Sequence, residues 1–237
     1  MTSATNAIER GATTPLAMNR GVGAAGASPA AEPLQLERRR TYDLVTRLLH
    51  GVMAISIFVI LAVLALGEVL GDRIDEDAVG MLHSVAGFIL LGAWALRMVW
   101  GIVGPAEARV TKLWQPRAWL AFIKTRRSPE GIGFGHYPIA SAAYLAFYAA
   151  IGYLGVSGLL MAASEFELGP LASVADPRTL RQWAHMLGEL HGPAALFVQA
   201  FILLHVIAMV WHEKVDGIPW AQSMISGFQY RRSRREA

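Results

Sequence analysis

The stretch Leu187–Glu213, LGELHGPAALFVQAFILLHVIAMVWHE, decides how the rest of the chain is read. It is apolar over a length that, as a helix, crosses a hydrocarbon core of about 30 Å. Two histidines interrupt it, His191 and His205, fourteen residues apart. At the rise of an α-helix that spacing is about 21 Å. Fourteen residues make two heptads, so in a left-handed bundle both imidazoles keep to one face. A single helix thus shows an inward imidazole near each side of a membrane. Imidazole in lipid is costly unless something satisfies it, and a metal is the natural partner.

Three further apolar runs accompany this one. The first covers about Tyr42–Gly67, with Asp43 and Arg47 in its opening turns and His50 a little deeper. The second covers about Ala78–Val103, with His83 near its start and Arg97 near its end. The third, about Tyr137–Ala163, contains no internal histidine, but Gly152, Gly155 and Gly158 give it a small-residue face. Such a face lets another helix or a flat ligand approach closely. The expectation is an all-α integral membrane four-helix bundle with bis-histidine haem sites, multi-pass and in contact with lipid.

Composition agrees with that class. Hydrophobic residues make up 54% of the 237, and the mean hydropathy is +0.39. The absence of cysteine excludes disulfides, cysteine-held iron–sulfur clusters and covalent c-type haem. An isoelectric point near 9.4 suggests nucleic acid in a soluble protein. In a membrane protein it reflects basic loops on the cytoplasmic side, so no nucleic-acid partner is expected.

The connections sort by charge. Residues 1–36 are rich in Ala, Gly, Thr and Ser without apolar periodicity, and read as a disordered cytoplasmic leader. Arg38, Arg39 and Arg40 follow. The basic middle segment, Gly104–Gly135, includes an expected interfacial amphipathic helix over Gln115–Thr125, anchored by Trp114, Trp119 and Phe122. The tail ends in Arg231, Arg232, Arg234 and Arg235. In contrast, Glu68–Asp77 is acidic and Ser164–Met186 leans acidic. Four spans put the three basic segments on one side, which the positive-inside rule makes cytoplasmic, both termini included. The organisation read from this is a leader over 1–36, a membrane domain over 37–231 and a basic tail over 232–237.

Depth then pairs the histidines. His50 and His205 lie about equally far from the cytoplasmic ends of their runs, and His83 and His191 about equally far from the outer ends. Each pair suits one iron between two imidazoles on facing helices, giving two haems about 20 Å apart. Six-coordinate iron has no open position, which favours electron transfer over oxygen activation. The plainer alternative is that these are core histidines bonded to neighbouring carbonyls. A zinc or copper site is a further rival, although its ligands converge on one point rather than two levels. His136, His185 and His212 read as interfacial, His212 being one heptad beyond His205. Gly87 lies one turn after His83, where a porphyrin face has room, and Gly51 and Gly92 act likewise or serve helix packing. Arg97, fourteen residues beyond His83, stands on the same face at the level of the other pair, where it suits a haem propionate or snorkels to the interface. Arg47, one turn before His50, is a similar candidate.

These residues also resemble a known family. TRLLHG (46–51) resembles the R-L-x-H-W opening of the b-type cytochrome subunit of nickel–iron hydrogenases, whose relatives include bacterial cytochrome b561. LHSVAGFILLGAWALRMVWGIVGPAEAR (82–109) is similar to that family's second span, with H-x-x-x-G and R-x-x-W-G elements. GHYPIASAAY (135–144) resembles the G-H-N-P opening of the third, with Tyr137 in place of Asn; Gly51 likewise stands where Trp is usual. The H-x13-H spacing and the closing SMISGFQYR (223–231) match as well. The resemblance covers about residues 40–231. It implies a di-haem b-type cytochrome of the respiratory chain in the bacterial inner membrane. His50 and His205 would ligate one heme b, and His83 and His191 the other. Electrons would pass between quinone or quinol and a redox partner protein, either hydrogenase-like or a cytochrome c. The alternative is a stand-alone superoxide:quinone oxidoreductase of the cytochrome b561 kind. Pro193, two residues after His191, leads one to expect a kink at that ligand.

Overall fold

In the computed structural model, residues 36–125 and 138–232 are described. Residues 1–35 of the expected leader, Arg126, Arg127, His136, Tyr137, Arg234 and Arg235 lie outside them, while Leu36 already belongs to the first strand. Strand β1 (Leu36–Arg40) is followed by helices α1 (Leu44–Leu70) and α2 (Glu76–Val103). Two short 3-10 turns lead to α3 (Pro116–Thr125), then α4 (Pro138–Glu165), α5 (Pro177–Gly188), α6 (His191–Asp216), α7 (Gln222–Ser226) and strand β2 (Phe228–Arg232). Among the described residues, four helices are long and apolar enough to cross a membrane, within Leu44–Arg73, Glu76–Val103, Ile139–Glu165 and His191–Val215. The chain is an all-α four-helix membrane bundle, as the apolar runs predict.

Local chemistry sets the helix ends. Asp43 caps α1, accepting from the Thr46 N–H at 3.0 Å and from its hydroxyl at 2.6 Å. Its carboxylate also accepts from the Trp100 indole of α2 at 3.1 Å, so one cap fastens two spans. Burial alone would raise the Asp43 carboxyl, but the bonds from Thr46 and Trp100 together hold it below the ordinary aspartate range. Asp176 caps α5, with Pro177 at the first helical position.

The fourth span begins later than the apolar run does. Leu187 and Gly188 belong to the end of α5, and α6 opens at His191 itself. Pro193 therefore falls in the first turn, where a missing N–H costs nothing, and the expected kink has no cause there. The segment read as an acidic loop holds the amphipathic helix α5, which buries Leu180 and Ala184 and exposes Trp183 and Met186. Helix α3 forms where expected, and its Trp119 indole donates to the fully buried Ser141 of α4 at 2.9 Å.

Two compact units emerge, Asp43–Ala208 and the residues flanking it on both sides. In the first, α1 and α2 lie against each other and α2 approaches α4, whereas α6 approaches none of these helices as closely at the backbone. The glycine face of α4 explains the closeness of α2. A Cβ at Gly152 would stand 2.7 Å from the Trp94 ring, and one at Gly155 would collide with Leu91. The Trp94 indole then reaches the Tyr148 carbonyl at 2.9 Å. The core is a band of Met53, Leu90, Ala93, Ile151 and Val198. Val198 is seven residues from both His191 and His205, so this band separates two histidine levels.

In the flanking unit, β1 and β2 pair antiparallel, with Arg38 opposite Tyr230 and Arg40 opposite Phe228. Gly227 ends α7 in the left-handed region at φ 82°, a conformation that favours glycine. Its carbonyl accepts from the N–H groups of Thr41 and Tyr42 at 2.9 and 3.1 Å. The Arg38 guanidinium lies 4.4 Å from the Phe228 ring centroid.

Candidate functional site

The four histidines of the apolar helices come together two by two. His83 of α2 and His191 of α6 have ring centroids 6.3 Å apart, with planes inclined by 60°. His50 of α1 lies within electrostatic reach of His205 of α6 and of Arg97 of α2. Depth matching in the sequence agrees with the closeness of the His83 and His191 rings and with the electrostatic reach between His50 and His205. His185 pairs instead with Glu189 at 3.8 Å on the exposed surface of α5. His212, in the flanking unit, faces Trp220 with centroids 6.5 Å apart.

The other predicted residues fall around these pairs. Arg97 is half-buried, its Nη1 has no hydrogen-bond partner, and its guanidinium carbon lies 6.0 Å from the Tyr148 ring centroid. Arg47 lies in the first turn of α1, its N–H bonded to the Asp43 carbonyl at 3.2 Å. A Cβ added at Gly51, Gly87 or Gly92 would meet no atom within 4 Å, so packing between helices does not demand glycine at these places. At Gly158 of α4 a Cβ would touch the His191 ring at 3.4 Å.

Sequence reasoning missed two residues of the site, both on the span without a histidine. The Ser157 hydroxyl lies 2.8 Å from His191 Nδ1, and the Tyr144 hydroxyl 3.1 Å from His205 Nδ1. Each engages one ring nitrogen and leaves Nε2 for another partner. Their spacing of thirteen residues nearly equals the fourteen between the histidines, as antiparallel helices in register require. That near-equality was the available signal. Tyr153 holds the approach to His191 by donating to the Leu187 carbonyl. Phe201 lies parallel to His205, with planes 4° and centroids 6.1 Å apart, and stacks on Phe147 at 4.4 Å.

These residues fit a metal held between two imidazoles. The 6.3 Å between the His83 and His191 ring centroids would leave room for one metal about 2 Å from a nitrogen of each ring. His83 buries its Nδ1 without a hydrogen-bond partner, contrary to what a purely structural histidine needs. No three or more His, Asp or Glu side chains gather into a metal cluster among the described residues. The open surface beside Gly87, one turn from His83, suits a flat group, whereas Gly51 and Gly92 lie on the outward faces of α1 and α2, among the exposed Leu48, Ile55 and Phe58 and the exposed Ile89, Leu96 and Val99.

Four apolar helices, with His83 facing His191 and His50 in electrostatic reach of His205, define a multi-pass membrane protein of the helix-bundle class. The chain belongs to the prokaryotic cytochrome b561 family, whose model matches residues 41–227. It is accordingly a membrane b-type cytochrome of electron transfer, with b-type haem as its cofactor. No curated protein matches the chain.

Proposed function

We propose that the chain carries two b haems, one held by His50 and His205 and the other by His83 and His191, and moves electrons between a quinone pool and a redox protein. The observation that carries this reading is the 6.3 Å spacing of the His83 and His191 rings, on two helices that also bring Arg97 and His205 to His50. Haem iron with two imidazole ligands supplies reversible one-electron chemistry and leaves no position open to oxygen. Ser157 and Tyr144 orient the two rings of α6. The Arg97 guanidinium offers a propionate its bidentate fork. Gly87 admits the flat face, and the band of Met53, Leu90, Ile151 and Val198 keeps water and ions from the space between the levels.

Residues 37–231 form the membrane domain on this reading, and both termini are cytoplasmic in a bacterial inner membrane. The excess of arginine before the first span and after the last supports that orientation. The pairing of β1 with β2 supports an even number of crossings between them. The redox partner is a hydrogenase-like enzyme or a c-type cytochrome. A pyridine haemochrome assay on purified protein tests the cofactor count. Two b haems per chain are expected, and one or none overturns the reading. A periplasm-dependent reporter fused after Ala237 should remain silent.

A further inference from the structure

The two pairs differ in what stands behind their ligands, and the difference has a sign. Ser157 is fully buried, and its oxygen lies 2.9 Å from the Tyr153 carbonyl and 3.3 Å from the Leu154 carbonyl of its own helix. A hydroxyl has one proton. Were that proton given to His191, the oxygen would face two carbonyl oxygens with no hydrogen between them. The Ser157 proton therefore goes to the carbonyls, and its oxygen accepts from the His191 Nδ1–H at 2.8 Å. The direction of this chain fixes the tautomer, with the lone pair of His191 on Nε2. A hydroxyl already donating to a carbonyl is a stronger acceptor, because the bonds of a chain polarise one another.

At the other level the partner of His205 Nδ1 is a phenol, at the longer distance of 3.1 Å. A phenol oxygen delocalises a lone pair into its ring and accepts more weakly than an alkyl hydroxyl. The His191 imidazole is thus the more electron-rich ligand and favours the oxidised metal more strongly. The Arg97 cation, in electrostatic reach of His50, acts in the same sense from the other side, because adding an electron beside a positive charge is favourable.

Building on the bis-imidazole reading above, we propose that Ser157 and Tyr144 are positioning residues that grade the two sites. The His83–His191 site is then the weaker electron acceptor and the His50–His205 site the stronger, so an electron runs downhill from the first to the second. The step is one electron lost at one site and gained at the other, with no bond or proton exchanged. With cytoplasmic termini, its direction is inward across the membrane.

Spectroelectrochemical titration of the purified holoprotein tests this, with His50→Ala used to assign the components. The expected result is two b-type components, of which the one surviving in His50→Ala has the lower midpoint. Ser157→Ala, which is smaller than serine and overpacks nothing, should raise that lower midpoint and leave the upper one in place. The expected change in electron partition between the sites is about five- to tenfold, tenfold being about 59 mV for one electron. Tyr144→Phe should raise the upper midpoint by less. The signal of the low-spin ferric site in electron paramagnetic resonance should shift only for the component whose ring loses its partner. If Ser157→Ala moves neither midpoint, or moves the upper one, the inference is wrong while the bis-imidazole reading stands. If the unsubstituted protein shows fewer than two b components, that reading itself fails.

Discussion

Helices α2 and α6 are both long and apolar enough to cross a membrane and both carry histidines of the proposed sites, yet they are held in different ways. Helix α2 lies against α1 and α4 through close backbone contact, the glycine face of α4 and two indole hydrogen bonds, from Trp94 to Tyr148 and from Trp100 to Asp43. Helix α6 buries little of its apolar surface and meets its neighbours mainly through side chains. These are Val198 in the core, Phe201 on Phe147, and the two histidines on Ser157 and Tyr144. The close backbone packing is therefore among α1, α2 and α4, and α6 is seated by side-chain contacts, its two histidines included. In lipid no hydrophobic drive presses helices together, so close packing of small residues and polar contacts decide which pairs are tight.

The sharpest break of this comparison is loss of a ligand from α6. His205→Ala and His50→Ala should abolish the same b-type spectral component, and His191→Ala and His83→Ala the other. The affinity loss should exceed the about 10–100-fold typical of removing an orienting partner. If His50→Ala instead matched His191→Ala, the two levels would have to be redrawn. Next in size is the effect of haem itself. Protein made in a haem-deficient host should show faster amide exchange across residues 194–208 of α6 than across α1 and α2, because local stability follows local packing. Equal protection in the three helices would erase the contrast.

On the packed side, Gly152→Val should destabilise by about 1–3 kcal/mol through overpacking, since even a Cβ there lies 2.7 Å from Trp94. Unfolding in a denaturing detergent measures it, and His83 spectra should persist in the fraction still folded. The smallest effect concerns Asp43. Asp43→Ala should cost about 1 kcal/mol as a lost cap. The folded-state carboxyl is held below the ordinary aspartate range. Its stabilisation is therefore present above the unfolded value and lost as pH falls through the folded one. The acid limb of a stability profile should flatten in Asp43→Ala, and an unchanged limb would remove Asp43 from the account.

The features legible in the sequence were those with long-range periodicity. The four spans, the heptad relation of His191 to His205 and the matching depths of His50 with His205 and of His83 with His191 follow from counting residues along helices. Tyr144 and Ser157 escaped because, inside an apolar run, a serine reads as packing and a tyrosine as an aromatic filler. Only the facing helix gives them a partner. Helix α5 carried a start signal in Asp176-Pro177, but its charge balance drew attention first. The pairing of Arg40 with Phe228 joins residues at opposite ends of the membrane domain, and no local pattern announces it.

That last pairing also orders events during synthesis. Strand β1 leaves the ribosome before the first span, and β2 only after the fourth, so the ladder closes last. Because Thr41 and Tyr42 bond the carbonyl of Gly227, the clasp forms only on a chain whose final span has been made and returned to the starting side. A chain truncated or inserted with an odd number of crossings leaves two arginine-bearing edges unmatched. The arrangement thus distinguishes a finished molecule from an unfinished one.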